Sequence, residues 1–121
     1  MFTLAALALA SQSPWIMVVD YPGVTVYLGS QDTEIDHKRQ TYKTWTRFTY
    51  HNVPKGQSDE AMTFDTFNCA RNTVQTWTII QSYPSAAPIV SHPKEGPQTI
   101  PPSTYYESVK DAVCYLMKSS E

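Results

Sequence analysis

Along most of the chain, apolar and polar residues alternate with a period of two. "WIMVVD" (Trp15 to Asp20) and "VTVYL" (Val24 to Leu28) read as short strands. "YPG" between them supplies a tight turn, with Pro22 fixing φ and Gly23 free to take a positive φ. "TEIDHKRQTYKTW" reads as a strand, a polar turn over His37 to Gln40, and a second strand. In "YKTWTRFTY", Tyr42, Thr44, Thr46, Phe48 and Tyr50 fall on one face, and Lys43, Trp45, Arg47 and Thr49 on the other. Neither set is purely apolar, which suits a sheet with one covered side and one wet side bearing an aromatic.

His51 to Glu60 reads as a loop. "AMTFDTFNC" then alternates as a strand, "ARN" turns the chain, and "TVQTWTIIQSY" forms the longest β-run. Strict alternation there places Trp77, Ile79, Gln81 and Tyr83 on one side, with Thr78 and Ile80 on the other. "PIVSH" reads as a last short strand. Beyond the prolines that cluster from Pro84 to Pro102, the period changes to 3.6 residues. Thr104 and Glu107 form a T-x-x-E capping box, and Lys118 suits the negative end of a helix dipole. Val109, Val113, Leu116 and Met117, flanked by Tyr105, Tyr106 and Ala112, make one apolar stripe that only the sheet can cover. The pattern therefore predicts an α+β fold: an antiparallel sheet of about six strands with a C-terminal helix packed on one face.

At 121 residues the chain suffices for one modest core and is too short for two. Net charge is −2 and the pI near 5.9, so no positive field exists to draw nucleic acid. Residues 1–10, "MFTLAALALA", read as a signal peptide, with Ala8-Leu9-Ala10 as the small-x-small cleavage signal and residues 11–121 as the exported domain. The alternative is a buried first strand or helix. That run is too short to span a bilayer, so no transmembrane segment is expected. The periplasm or the cell surface is the implied location.

Export bears on the two cysteines. Thiols tend to pair in an oxidising compartment, so Cys69 at a strand end and Cys114 in the helix are expected to form a disulfide that tethers helix to sheet. In the chain-entropy model such a loop stabilises the fold by about 4 kcal/mol. The alternatives are two unrelated buried thiols or, less favoured, a metal site, for which nearby His ligands are missing.

Taken in order, "WIMVV", "VTVYL", "YKTWTRFTY", "TFDTFNCARNTVQTWTIIQSY" and "IPPSTYYESVKDAVC" resemble the bacterial surface-adhesin protein E family. The resemblance runs from Trp15 to Cys114. It implies an antiparallel sheet with a C-terminal helix held across one face by a disulfide, and an exported envelope or surface protein. The adhesin itself looks like a lipoprotein, and here no cysteine stands near the cleavage signal.

No G-x-S-x-G, H-E-x-x-H, P-loop or glycine-rich dinucleotide signature is present, so no enzyme and no cofactor are expected. His37, His51 and His92 fall in turns or loops, where histidines are usually only solvated. Asp36 and His37 adjoin, but adjacent residues on a strand point to opposite faces, so they would not cooperate as a pair there. The aromatics are more suggestive. Trp45, Trp77, Tyr42 and Tyr50, supplemented by Lys38 and Arg39, are candidates for a flat patch on the uncovered sheet face that binds a protein or glycan partner. Packing between sheet and helix is the competing account of the same rings. Two further functions stay open: an envelope subunit that forms homo-oligomers through a sheet edge, and a small hydrolase or ligand carrier with a pocket between helix and sheet.

Overall fold

A computed structural model describes residues 14–120; the signal-peptide reading of residues 1–10 lies outside them. Strands β1 (Trp15–Tyr21), β2 (Val24–Gly29), β3 (Glu34–Asp36), β4 (Thr41–Tyr50), β5 (Glu60–Asn68), β6 (Thr73–Tyr83), β7 (Ala86–Ser91) and β8 (Gln98–Thr99) form one antiparallel sheet, followed by helix α1 (Tyr105–Ser119). The main strand order is β1-β2-β4-β5-β6-β7, with β3 pairing β4 and β8 pairing β6. The expected α+β fold is therefore what the chain adopts. The count exceeds the expected six because two short strands, β3 and β8, cap the ends of longer ones.

Alternation in β4 and β5 is realised residue by residue. Tyr42, Thr44, Thr46 and Phe48 are buried, as are their β5 neighbours Ala61, Thr63, Asp65 and Phe67. Val24, Val26 and Leu28 of β2 extend the same face, at 1% exposure or less. Helix α1 covers this surface with Val109, Val113 and Met117, and Leu116 and Tyr106 pack at the margin. Full burial of each such side chain is worth about 1.5–3 kcal/mol, which explains why a single helix suffices to select this face.

Both ends of α1 are anchored. The Thr104 hydroxyl accepts a hydrogen bond from the Glu107 amide at 3.3 Å, and Glu107 Oε1 accepts one from the Ser103 amide at 2.9 Å. The expected capping box thus forms with its return bond displaced one residue outward. Ser103 itself sits at φ 62, the left-handed region that turns the chain into the helix. Across the start of the helix, Tyr21 Oη lies 3.0 Å from Ser108 Oγ and the Tyr21 and Tyr105 rings lie 5.4 Å apart. Nearer the other end, Cys69 and Cys114 form the disulfide, with their Cα atoms 5.9 Å apart.

One departure from simple alternation matters. The β5–β6 register skips Trp77, because Phe64 pairs with Thr78 while Asp65 pairs with Thr76. This β-bulge turns Trp77 to the same side as Thr78 and Ile80, away from Ile79 and Gln81. The strict period of two failed there because an inserted residue resets the face of everything before it.

Replacing both cysteines, Cys69→Ser with Cys114→Ser, is expected to lower unfolding stability by about 2–4 kcal/mol while leaving the strand registers intact. Denaturant unfolding, with amide-proton NMR as the check on the sheet, measures both. A loss below half a kilocalorie would mean that apolar packing alone holds α1 in place.

Candidate functional site

The side of the sheet away from α1 carries no covering element among the described residues. Register fixes what stands there. Trp45 pairs with Phe64, Lys43 with Thr66, Arg47 with Met62 on one side and Tyr27 on the other, and Trp15 with Gly29. Rows of alternate residues from adjacent strands thus place Trp15, Tyr27, Trp45, Phe64 and Trp77 on one surface, interleaved with Lys43 and Arg47.

These side chains are ordered by one another. Lys43 Nζ lies 5.2 Å from the Phe64 ring centre and 5.3 Å from that of Trp77. The Arg47 guanidinium lies 5.6 Å from the Trp15 ring and 5.5 Å from the Tyr27 ring. Ring quadrupoles attract such cations, and each contact contributes about 0.5–1 kcal/mol at a partly exposed site. Arg47 also reaches Glu60 Oε1 at 2.8 Å through Nη2 and 3.0 Å through Nε, a diagonal pair across β4 and β5. Trp45 and Phe64 tilt against each other at 4.9 Å, and the Trp77 indole N–H donates to Thr66 Oγ1 at 2.9 Å. Gly29 lacks a side chain beside Trp45, leaving a notch of about 120 Å³ bounded by Trp15, Trp45 and Met62.

Of the residues singled out in the sequence, Trp45 and Trp77 share this open face. Tyr42 and Tyr50 do not: both point to the α1 side, where Tyr42 is only 7% exposed and Tyr50 packs beside Phe48. Lys38 and Arg39 occupy the β3–β4 hairpin turn, where the Arg39 amide donates to Asp36 Oδ1. The face is instead completed by Trp15, Tyr27, Phe64, Lys43 and Arg47. Their alternation was visible strand by strand. Which row of one strand continues which row of the next is a matter of register.

Beneath α1 the sheet buries a carboxylate, Asp65, with no exposed surface. Thr63 Oγ1 donates to its Oδ2 at 2.6 Å and Thr76 Oγ1 to its Oδ1 at 2.7 Å. Burial raises the Asp65 pKa, and the hydrogen bonds from the Thr63 and Thr76 hydroxyls offset part of that rise. Burial likewise drives the Tyr106 phenol upward, reinforced by the negative charge of Asp65. Thr76 and Tyr106 also border a mainly apolar cleft of about 450 Å³ between β6 and the proline-rich loop, walled by Val74, Ile79, Pro93 and Ile100. Asp65 stays sealed behind them. Of the loop histidines, His51 Nε2 lies 2.7 Å from Thr25 Oγ1, which donates to Asp20 Oδ1, and His92 Nδ1 lies 3.3 Å from Thr78 Oγ1. Among the described residues no group of three or more His, Cys, Asp or Glu could hold a metal ion, and no helix is long and apolar enough to cross a membrane.

Neither a protein-family model nor a curated protein matches this chain. Solved structures do. Haemophilus influenzae protein E aligns with a TM-score of 0.57 at 13% identity, over 89% of this chain and 89% of that one. A second crystal form of that protein gives 0.59 at 13% identity, over 88% and 91%. Protein E from non-typeable Haemophilus influenzae gives 0.57 at 14% identity, over 90% and 80%. At that identity the likeness is one of fold.

Asp65 generates a prediction whose sign follows from its raised pKa. In the window above its unfolded value of 3.8, the native state holds the proton more tightly than the unfolded chain, so this group makes stability fall as pH rises. Asp65→Asn, which keeps the shape without the charge, removes that slope. The stability of the Asn variant relative to the parent is expected to grow between acid and neutral pH, as followed by thermal unfolding across the range. A constant difference would mean that the carboxylate is fully compensated by its hydroxyl donors.

Proposed function

We propose that the protein is an exported, non-enzymatic envelope or surface protein that docks a protein or glycan partner through its open aromatic face. The carrying observation is that five aromatic rings and two cations stand together on a sheet surface that no described residue covers. Aromatic and Arg side chains are the groups that dominate binding interfaces, since they bury large area with few torsions to freeze. Here the cations already hold the rings, so a partner meets a surface that needs little further ordering. The fold shared with protein E and the disulfide both support an exported role.

A second reading rests on the two sheet edges. β1 exposes Ile16 and Met17, and β7 exposes Ile89 and Val90 with no charged residue along its length. Apolar edges of this kind pair with further strands, which favours an envelope subunit that self-associates. Sedimentation separates the two: a tight dimer or larger assembly at low micromolar concentration, dispersed by Val90→Lys, is the result expected of edge pairing.

For the face itself, the oxidised protein as bait in an envelope extract is expected to capture a partner that Trp45→Ala and Trp77→Ala release. Losses of about tenfold or more are expected for central aromatic anchors. Tyr115→Ala, on the exposed side of α1, should leave capture unchanged. Equal capture by all variants would sink the assignment to this face.

A further inference from the structure

On the α1 side of the sheet, beyond the reach of the helix, lies a second cleft. Tyr50 ends β4 and Tyr83 ends β6, with β5 between them. The Tyr50 amide donates to the Asp59 carbonyl, so Asp59 stands opposite Tyr50, and Ala61 lies one pair inward, between Phe48 and Gln81. Val53, Gly56, Gln57 and Ser58 of the β4–β5 loop close one end, and the space measures about 510 Å³.

The loop wall is held in place. Ser58 Oγ donates to the carbonyls of Glu60 and Ser82, both at 2.8 Å. The Asp59 amide donates to Ser82 O, the Tyr50 amide to Asp59 O, and the Gln57 amide to Pro54 O. Gly56, at φ 87, makes the turn that a side chain would strain. By contrast, the side-chain ends of Gln57, Gln81, Tyr50 and Tyr83 make no hydrogen bond to another described residue, and no charged side chain lines the cleft.

We infer that this cleft is a binding site for a neutral saccharide. Each glutamine amide offers donors and an acceptor together, and each phenol can do either. Paired groups of both senses match vicinal hydroxyls, which also donate and accept. The tyrosine rings supply flat apolar walls for the C–H face of a pyranose. Absence of lining charge disfavours phosphate, carboxylate and ammonium ligands, and the fixed loop means that binding orders little besides four side chains. The site shares no residue with the open face, so it stands or falls independently of the docking function proposed above.

Saturation-transfer NMR on the oxidised protein tests it, with glucose, galactose, mannose, N-acetylglucosamine and N-acetylgalactosamine as probes. Transfer to the ring protons of at least one sugar is expected, with a dissociation constant on the order of millimolar, since a monosaccharide has few atoms with which to bind. Tyr83→Ala and Gln81→Ala are expected to weaken it about tenfold each, the loss of one or two contacts. Gln57→Ala, in an exposed loop position that leaves the sheet untouched, repeats the test if a strand variant fails to fold. Trp77→Ala on the opposite face should change nothing. No transfer from any probe, or transfer abolished by Trp77→Ala but kept by Gln57→Ala and Gln81→Ala, overturns the assignment.

Discussion

Covering one face of a twisted sheet with a single helix is the constraint from which the other features follow. Helix α1 meets the sheet through Val109, Val113 and Met117, and it is fastened covalently by Cys69–Cys114 and at its start by the Tyr21 contacts with Tyr105 and Ser108. Fifteen residues of helix cannot cover eight strands. The centre of the α1 side is therefore dry, as Thr44, Thr46 and Asp65 show by their burial, while its outer reach beyond Ala61 stays open.

The remaining surface has no second layer among the described residues. A bare row of tryptophans and phenylalanine would invite non-specific association. Lys43 and Arg47 stand among the rings instead, and Glu60 balances Arg47. The same arrangement keeps these aromatics ordered on the open face. On the α1 side the ordering contacts are buried instead, with the Thr63 and Thr76 hydroxyls donating to the Asp65 carboxylate.

The resemblance to the protein E family, drawn from short aromatic blocks and a cysteine pair, meets its counterpart in the fold shared with protein E over most of both chains. What persists at 13% identity is the layering. A sheet whose faces differ, a terminal helix and a tether define a small set of workable packings, and many side-chain combinations satisfy them.

Alternation determined β4 and β5 and the capping box announced the start of α1, because each depends on neighbours in sequence; the two cysteines form the expected Cys69–Cys114 pair. The same alternation separates Tyr42 and Tyr50 from Trp45, so these rings cannot share one patch. Trp77 could not be placed from its strand, since a bulge leaves no mark in composition. Which rows of β1, β2, β4, β5 and β6 align, and hence which rings meet which cations, was decided only by tertiary register. Side-chain direction along a strand is a local property. Adjacency between strands is set by pairing over long separations, and no single stretch of the chain records it.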